Sequence, residues 1–294
     1  MLSVACASAS AQKIAPDLYA YISTNDASAN STFLVGDKGI LVVDSGLNAQ
    51  EGRKLLEEIR KISPLPVRWI VNTHYHPDHR GGNGVVGPDA AIISTEFTLE
   101  QAVRDLRAQA AKNGRRLPDE YAPVVAIGAA HNAAHNDDPT LYLGGHEVRI
   151  YHPGPAHTRG DLVVYFPDQH AIATGDLFLN NSCPAMDDGD MENWIAALDH
   201  ILTLPVEHVV PGHFEVATKN EVQFFRDYLA DLRDQVKRMH AQGLSLAQVK
   251  QNLDMSKYKA LRQFPNYEAT FADNAAAYYQ QLEARKHAGS GQSR

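Results

Sequence analysis

Three histidines and a carboxylate fall within the six residues His74-Tyr75-His76-Pro77-Asp78-His79. A neutral imidazole carries one donor and one acceptor, so a purely structural role would need partners for every ring inside one tight turn. A divalent metal satisfies them together, because imidazole nitrogen and carboxylate oxygen are good ligands for zinc. His74 and His76 are two apart and can point the same way from an extended segment. Asp78 and His79 lie past the bend at Pro77 and can face a second ion. Gly81-Gly82 follows directly and lets backbone pass close to such a centre.

Four ligands do not close two sites, so further donors are expected at other turns. Gly154-Pro155-Ala156-His157-Thr158-Arg159-Gly160-Asp161 places a histidine between two strand-like runs. Thr174-Gly175-Asp176 places an aspartate right after an apolar run, and Val210-Pro211-Gly212-His213 does the same with a histidine. Turns reached from strand ends are where ligands gather on α/β scaffolds. His157 or His213 alone would serve as well as a hydrogen-bonded turn histidine, and Asp176 alone as a helix cap. Their joint appearance carries the reading.

The elements that must position these turns alternate between strand and helix. Phe33-Leu34-Val35-Gly36 and Ile40-Leu41-Val42-Val43 flank Asp37-Lys38-Gly39 as a hairpin. A helix follows with Leu55, Leu56, Ile59 and Ile62 on one face, stopped by Pro64 and Pro66. Val67–Val71 reads as a buried strand running into Asn72-Thr73-His74. Phe97–Lys112 reads as a helix. Residues 113–140 read as an irregular stretch, long for a plain connection and so a candidate lid or substrate loop. Short strands are expected over 147–151, 162–166, 171–174 and 208–211, and a helix over Trp194–Leu204. Between Asn220 and Met239 the apolar residues recur at spacings of three and four, the mark of an amphipathic helix. Two or three shorter helices should follow, one capped by Ser245. Mixed strands and helices predict an α/β sandwich with helices outside two sheets.

The run His74 to His79 resembles the H-x-H-x-D-H signature of the metallo-β-lactamase superfamily. Gly154–Asp161, Thr174–Asp176 and Pro211–His213 resemble its later ligand motifs, in order, and Asp44-Ser45-Gly46 its early aspartate turn. The resemblance covers roughly residues 17–215. It implies an αββα four-layer sandwich with a helical C-terminal extension. It also implies a metal-dependent hydrolase with two zinc ions per chain, iron or manganese being alternatives. Carried over residue by residue, one ion falls to His74, His76 and His157, and the other to Asp78, His79 and His213. Asp176 bridges both and Asp44 orients a ligand histidine. Asp78 also helps fix the activated water and carries a proton. The best-known zinc β-lactamases have either a cysteine at the position of Asp176 or no bridging residue. A bridging aspartate is typical of hydroxyacylglutathione hydrolases, lactonases and phosphodiesterases. Tyr75, Arg159, Asn180 and Asn181, beside the ligand motifs, are candidate substrate contacts, and Cys183 reads as a bystander.

Composition bounds the rest. The chain has 294 residues, 44% hydrophobic and 21% charged, as in ordinary globular domains. Two cysteines exclude a disulfide-dense fold or a four-cysteine metal site. A net charge of −8 argues against bulk-charge binding of nucleic acid. With the absence of a basic cluster beside the ligand motifs, it counts against cleavage of RNA or phosphodiesters. The resemblance implies a small acyl substrate: a lactam, lactone, ester or thioester. Alternatives on the same ligands are phosphodiester cleavage, a mononuclear-iron sulfur dioxygenase and a catalytically dead relative. No run of ~18 apolar residues exists to span a membrane. Residues 1–11, ending Ala9-Ser10-Ala11, read as the remnant of a secretory signal, which favours a periplasmic or secreted protein. Cys6 as a lipid anchor is a lesser reading. The expected organisation is a hydrolase domain over 12–218, helices over 219–286 and a flexible tail from His287. Of the nine remaining histidines, His131 and His135 lie in the candidate lid and could face substrate or metal; the others read as ordinary surface or core residues. Oligomeric state is not legible.

Overall fold

Short apolar runs separated by Gly, Pro and Asp turns pair into two sheets in the computed structural model. It describes residues 10–113, 124–127, 139–186 and 188–291, with 124–127 and 288–291 described by backbone alone. The first sheet runs in chain order: β1 (Ala11–Ala15), β2 (Leu18–Tyr21), β3 (Ser31–Val35), β4 (Ile40–Val43), β5 (Val67–Val71), β6 (Ala91–Thr95) and β7 (Val124–Ile127). It is antiparallel up to β4 and parallel from β4 onward. The second sheet contains β8 (Thr140–Leu143), β9 (His146–Tyr151), β10 (Val163–Phe166), β11 (Ala171–Ala173) and β12 (His208–Val210). Its order is β12-β11-β10-β9-β8, and only the β11–β12 pair is parallel.

Period-2 alternation sorts each strand's side chains into two cores. Leu34, Leu41, Val43, Val71 and Ile93 meet Val148, Ile150, Val164, Phe166, Ala173 and Val210 between the sheets. The opposite face of the first sheet, with Phe33, Ile40, Val42 and Ile70, packs on Leu55 and Ile59 of α1 (Ala49–Ile62). Val86 joins that layer from α3 (Asn83–Val86), which follows the single turn α2 (Pro77–Arg80). Then come α4 (Glu96–Lys112), α5 (Met191–Thr203), α6 (Lys219–Ala241), α7 (Leu246–Asn252) and α8 (Phe271–Gly291). Val163, Tyr165, Ile172 and Val209 on the outer face of the second sheet pack with residues of α5, α6, α7 and α8. The result is helix, sheet, sheet, helix.

The helices begin where the sequence supplies caps. Asn48, Thr95 and Asp190 each accept a backbone N–H at the start of α1, α4 and α5. Thr218 with Glu221, and Ser245 with Gln248, form capping boxes for α6 and α7. The spacing in α6 buries Val222, Phe225, Leu229, Leu232, Val236 and Met239.

Several expectations change. Of the helices after α6, α7 is short and capped by Ser245 as expected, while α8, at 21 residues, is nearly as long as α6. α8 continues to Gly291, through the start of the segment read as a tail, as an extension of a helix held by Ala275 and Tyr278 in the core. The stretch 113–140, read as irregular, contains β7, which pairs in parallel with β6. Strands β1, β2, β6 and β8 were not anticipated. His131, His135, Cys6, most of the candidate lid and nearly all of the N-terminal signal-like segment lie outside the described residues. Among the described residues no helix is long and apolar enough to cross a membrane.

Candidate metal centre

The C-terminal ends of β4, β5, β11 and β12 and the β9–β10 connection meet at one edge of the sandwich. The amide of Leu162 donates to Thr73 O at 2.6 Å and joins the two sheets there. His74 follows β5, His157 lies in the β9–β10 connection, Asp176 follows β11 and His213 follows β12. Four turns from distant parts of the chain thus deliver seven side chains to one place.

They form two ligand pockets. In the first, His74 Nε2 and His157 Nε2 lie 3.0 and 3.2 Å from His76 Nδ1. Asp176 Oδ2 stands 3.9 Å from His74 Nε2 and 3.6 Å from His157 Nε2. In the second, His79 Nε2 lies 3.4 Å from Asp78 Oδ2 and 3.2 Å from Asp176 Oδ1. His213 Nε2 lies 3.1 Å from Asp78 Oδ2 and 3.6 Å from Asp176 Oδ1. Asp176 thus turns one oxygen to each pocket.

These donors fit a metal better than they fit one another. Three ring nitrogens converging on one point cannot all be paired by hydrogen bonds, since each holds either one proton or one lone pair. His79 Nε2 and Asp176 Oδ1 are buried and make no hydrogen bond among the described residues. Orphaned buried polar atoms are rare and mark sites where an ion or water belongs. Donor separations near 3.3 Å are roughly what a tetrahedral ion with ~2.0 Å bonds requires.

Neighbouring residues fix the ring orientations. Asp44, buried and in the left-handed region at φ 57°, accepts from Thr73 N at 2.8 Å and Thr73 Oγ1 at 2.7 Å. Its Oδ2 also accepts from His79 Nδ1 at 2.7 Å, which turns His79 Nε2 toward the pocket. Thr73 Oγ1, its proton given to Asp44, can accept from His74 Nδ1 at 3.1 Å. The His157 ring stands edge-on to Trp194, whose indole N–H donates to Leu177 O.

Two glycines are needed for close approach. A Cβ on Gly212 would lie 1.9 Å from Asp176 Oδ1. One on Gly82 would lie 2.1 Å from Ser45 O, so the Gly81-Gly82 pair admits the β4–α1 connection rather than the metal ligands themselves.

Burial and charge separate the two pockets. Burial, reinforced for His74 by His79 and His76, holds His74 well below the ordinary histidine range and lowers His76 as well. Burial takes His157 down to about 3. These rings stay neutral and offer lone pairs. In the second pocket burial opposes charge, and the carboxylates win. Asp176, Asp78 and Asp44 hold His79 well above its usual range, and Asp176 and Asp78 raise His213. Burial would raise Asp78 and Asp176, but His79 and His213 hold both low.

Of the other candidate residues, Tyr75 donates its hydroxyl to Asp188 and packs edge-on to His76. Arg159 is exposed, with its guanidinium 5.6 Å from the Phe97 ring. Asn180 is buried and donates Nδ2 to Glu215 O at 2.9 Å. Asn181 is left-handed, and its carbonyl accepts from Arg262 N. Cys183 is buried in the helical-side core, which pushes its thiol up to about 12. Sequence reasoning missed Asn30, whose amide donates to Pro211 O at 3.1 Å and Phe214 O at 2.6 Å and clamps the His213 turn. Its partners lie more than 180 residues away, so no local spacing marks it.

Comparison with known proteins agrees with this geometry. The family model described as metallo-beta-lactamase superfamily matches residues 24–93 and 110–213. The chain is 26% identical over 246 residues to a linear primary-alkylsulfatase of a Pseudomonas species, covering 71% of this chain and 46% of that protein. It is 27% identical over 191 residues to the alpha subunit of a 2,4-dinitroanisole O-demethylase of a Nocardioides species, covering 64% and 53%. It is 23% identical over 237 residues to a type 2 metallo-beta-lactamase of Elizabethkingia meningoseptica, covering 77% and 87%. The structure of a stereoselective inverting sec-alkylsulfatase from a Pseudomonas species superposes with a TM-score of 0.73 at 18% identity, over 93% of this chain and 50% of that one. The chain thus spans about half the length of the sulfatases and the demethylase subunit that it matches.

Proposed function

We propose that this chain, which belongs to the metallo-beta-lactamase superfamily, is a hydrolase that uses two divalent cations, zinc by preference, on a small acyl substrate. The bond cleaved is that of a lactam, lactone, ester or thioester. One observation carries the reading: Asp176 gives one oxygen to a histidine triad and the other to an Asp78–His79–His213 pocket.

When bound, a cation pair of this kind polarises a scissile carbonyl and supplies an activated water at neutral pH. The chain's residues do the rest. Neutral His74 and His157, both buried, and half-buried His76 bind without giving up a proton near pH 7. Asp78 is the most accessible carboxylate of the set, with its side chain 23% exposed. It is placed to orient the attacking water and pass its proton to the leaving group. No serine or cysteine nucleophile is needed, and buried Cys183 is not one.

A sulfate ester is the second reading, favoured by the similarity to the alkylsulfatase over 71% of this chain. A panel of chromogenic lactam, lactone, thioester, sulfate-ester and phosphodiester substrates tests both. Turnover of an acyl substrate that disappears with a chelator and returns with zinc is expected. Turnover of the sulfate ester alone selects the second reading. Turnover that survives chelation, or of the phosphodiester alone, would overturn both.

A further inference from the structure

Three stretches of chain lie side by side next to the second ligand pocket. Phe214 follows His213 in the left-handed region at φ 72°. Any side chain resists that conformation, and a bulky aromatic one does so strongly. It is held in place by Asn30, which donates to the carbonyls of Pro211 and Phe214, and by Asn180, which donates to Glu215 O. The second stretch is Asn181–Cys183, where Asn181 is left-handed as well, at φ 55°. The third contains Arg262, whose backbone is fixed at both ends: its amide donates to Asn181 O and its carbonyl accepts from Cys183 N, each at 2.9 Å.

This arrangement presents a particular surface. The Arg262 guanidinium carbon lies 4.2 Å from the Phe214 ring centre. Phe264 stacks on the same Phe214 ring with planes 8° apart and centres 6.1 Å apart. Both rings remain partly exposed. The carboxylate paired with Arg262 is Glu215, at 3.7 Å, with side chains 45% and 66% exposed respectively. A guanidinium laid on an aromatic face keeps its N–H edge free to grip an oxyanion with two hydrogen bonds. Strain that places a ring where it meets a cation beside a reactive centre, rather than in the core, points to recognition.

We propose that Arg262, Phe214 and Phe264 form the specificity wall of the metal site, and that the wall selects substrates with an apolar body bearing an anionic group. This rests on the hydrolase reading and names the substrate class for it. The rings take the apolar body, and Arg262 exchanges Glu215 for the substrate's anion. Arg262 is a positioning and selectivity residue and takes no part in bond cleavage.

The test is calorimetric binding of n-octanesulfonate, octan-1-ol and methanesulfonate to the zinc-loaded full chain. The wild type binds n-octanesulfonate at least about tenfold more tightly than either partial probe. Arg262→Ala and Arg262→Gln weaken n-octanesulfonate by about tenfold or more and leave octan-1-ol unchanged, as loss of a charge-assisted contact requires. Phe264→Ala weakens both eight-carbon probes. Arg226→Ala, a surface arginine paired with Asp199, changes neither and controls for net charge. An Arg262→Gln protein that is folded by circular dichroism, holds zinc as the wild type does and still binds n-octanesulfonate with wild-type affinity overturns the proposal. Zinc content, measured on the same samples, separates this from the hydrolase reading. A wild type that takes up no zinc ends that reading, while a zinc-loaded protein indifferent to Arg262 ends only this one.

Discussion

Asp44 decides which nitrogen of His79 reaches the ligand pocket. Its carboxylate accepts the Nδ1 proton and the hydroxyl and amide of Thr73, and only a carboxylate can take all three at once. Asp44→Asn puts N–H groups where an acceptor is needed and loosens the ring. Metal affinity should fall by about 10–100-fold, the usual cost of losing a hydrogen-bonding partner of a metal ligand, as read by competition with a chromogenic chelator. Unchanged affinity would deny Asp44 this role. At this scale the seven donors were legible in the sequence because they occur in clusters and in order, each cluster after an apolar run. Asn30 and Arg262 were not, because their significance comes from carbonyls and rings brought close only by folding.

Parallel strands aim successive loops at the same edge, and this is how distant turns come together. β4 and β5 run parallel, as do β11 and β12, and each ends in a turn carrying a ligand or its hydrogen-bonding partner. The fit between the last two turns is tight. Gly212 sits where any Cβ would strike Asp176 Oδ1. Gly212→Ala should therefore displace the shared carboxylate and lower zinc content and turnover together, with global stability moved far less. Activity and metal content at wild-type levels in that variant would show that the Asp176 position is not critical. The elements themselves were legible where their period was strong. α6 repeats its apolar residues at three and four, and all six of those residues are buried. α8 has no comparable stripe, since Ala275-Ala276-Ala277-Tyr278-Tyr279 places apolar residues on every side. β1 is short and mixed in polarity and β2 has only four residues; β2 is a strand because it pairs with β3, and β1 because it pairs with β2.

Across the whole molecule, three apolar layers hold two sheets and two helical faces around an edge rich in charge. That edge makes the metal-free protein sensitive to pH. His74, His152 and His157, buried, and half-buried His76 have lowered pKa values in the folded chain, so the unfolded chain alone gains protons as pH falls through about 6.5, and stability declines. His79 and His213 have raised values, so the folded chain alone keeps protons as pH rises above about 6.5, and stability declines on that side also. Urea midpoints of chelator-stripped protein should therefore peak near pH 6.5 and fall toward about pH 5 and about pH 8. A steady rise over the whole range would contradict the assignment for the second pocket. The four-layer order was legible because the ligand-bearing runs are short, apolar and separated by helices. The length of α8 and the meeting of Arg262 and Phe264 with Phe214 depend on packing that no local pattern records.

The most direct test is metal content by plasma mass spectrometry after dialysis against dilute zinc. The wild type should hold two zinc ions per chain, one for each ligand pocket, and Asp176→Ala one or fewer. A folded wild type that holds one ion or none, or an Asp176→Ala protein that retains both, would contradict a centre built on a shared carboxylate.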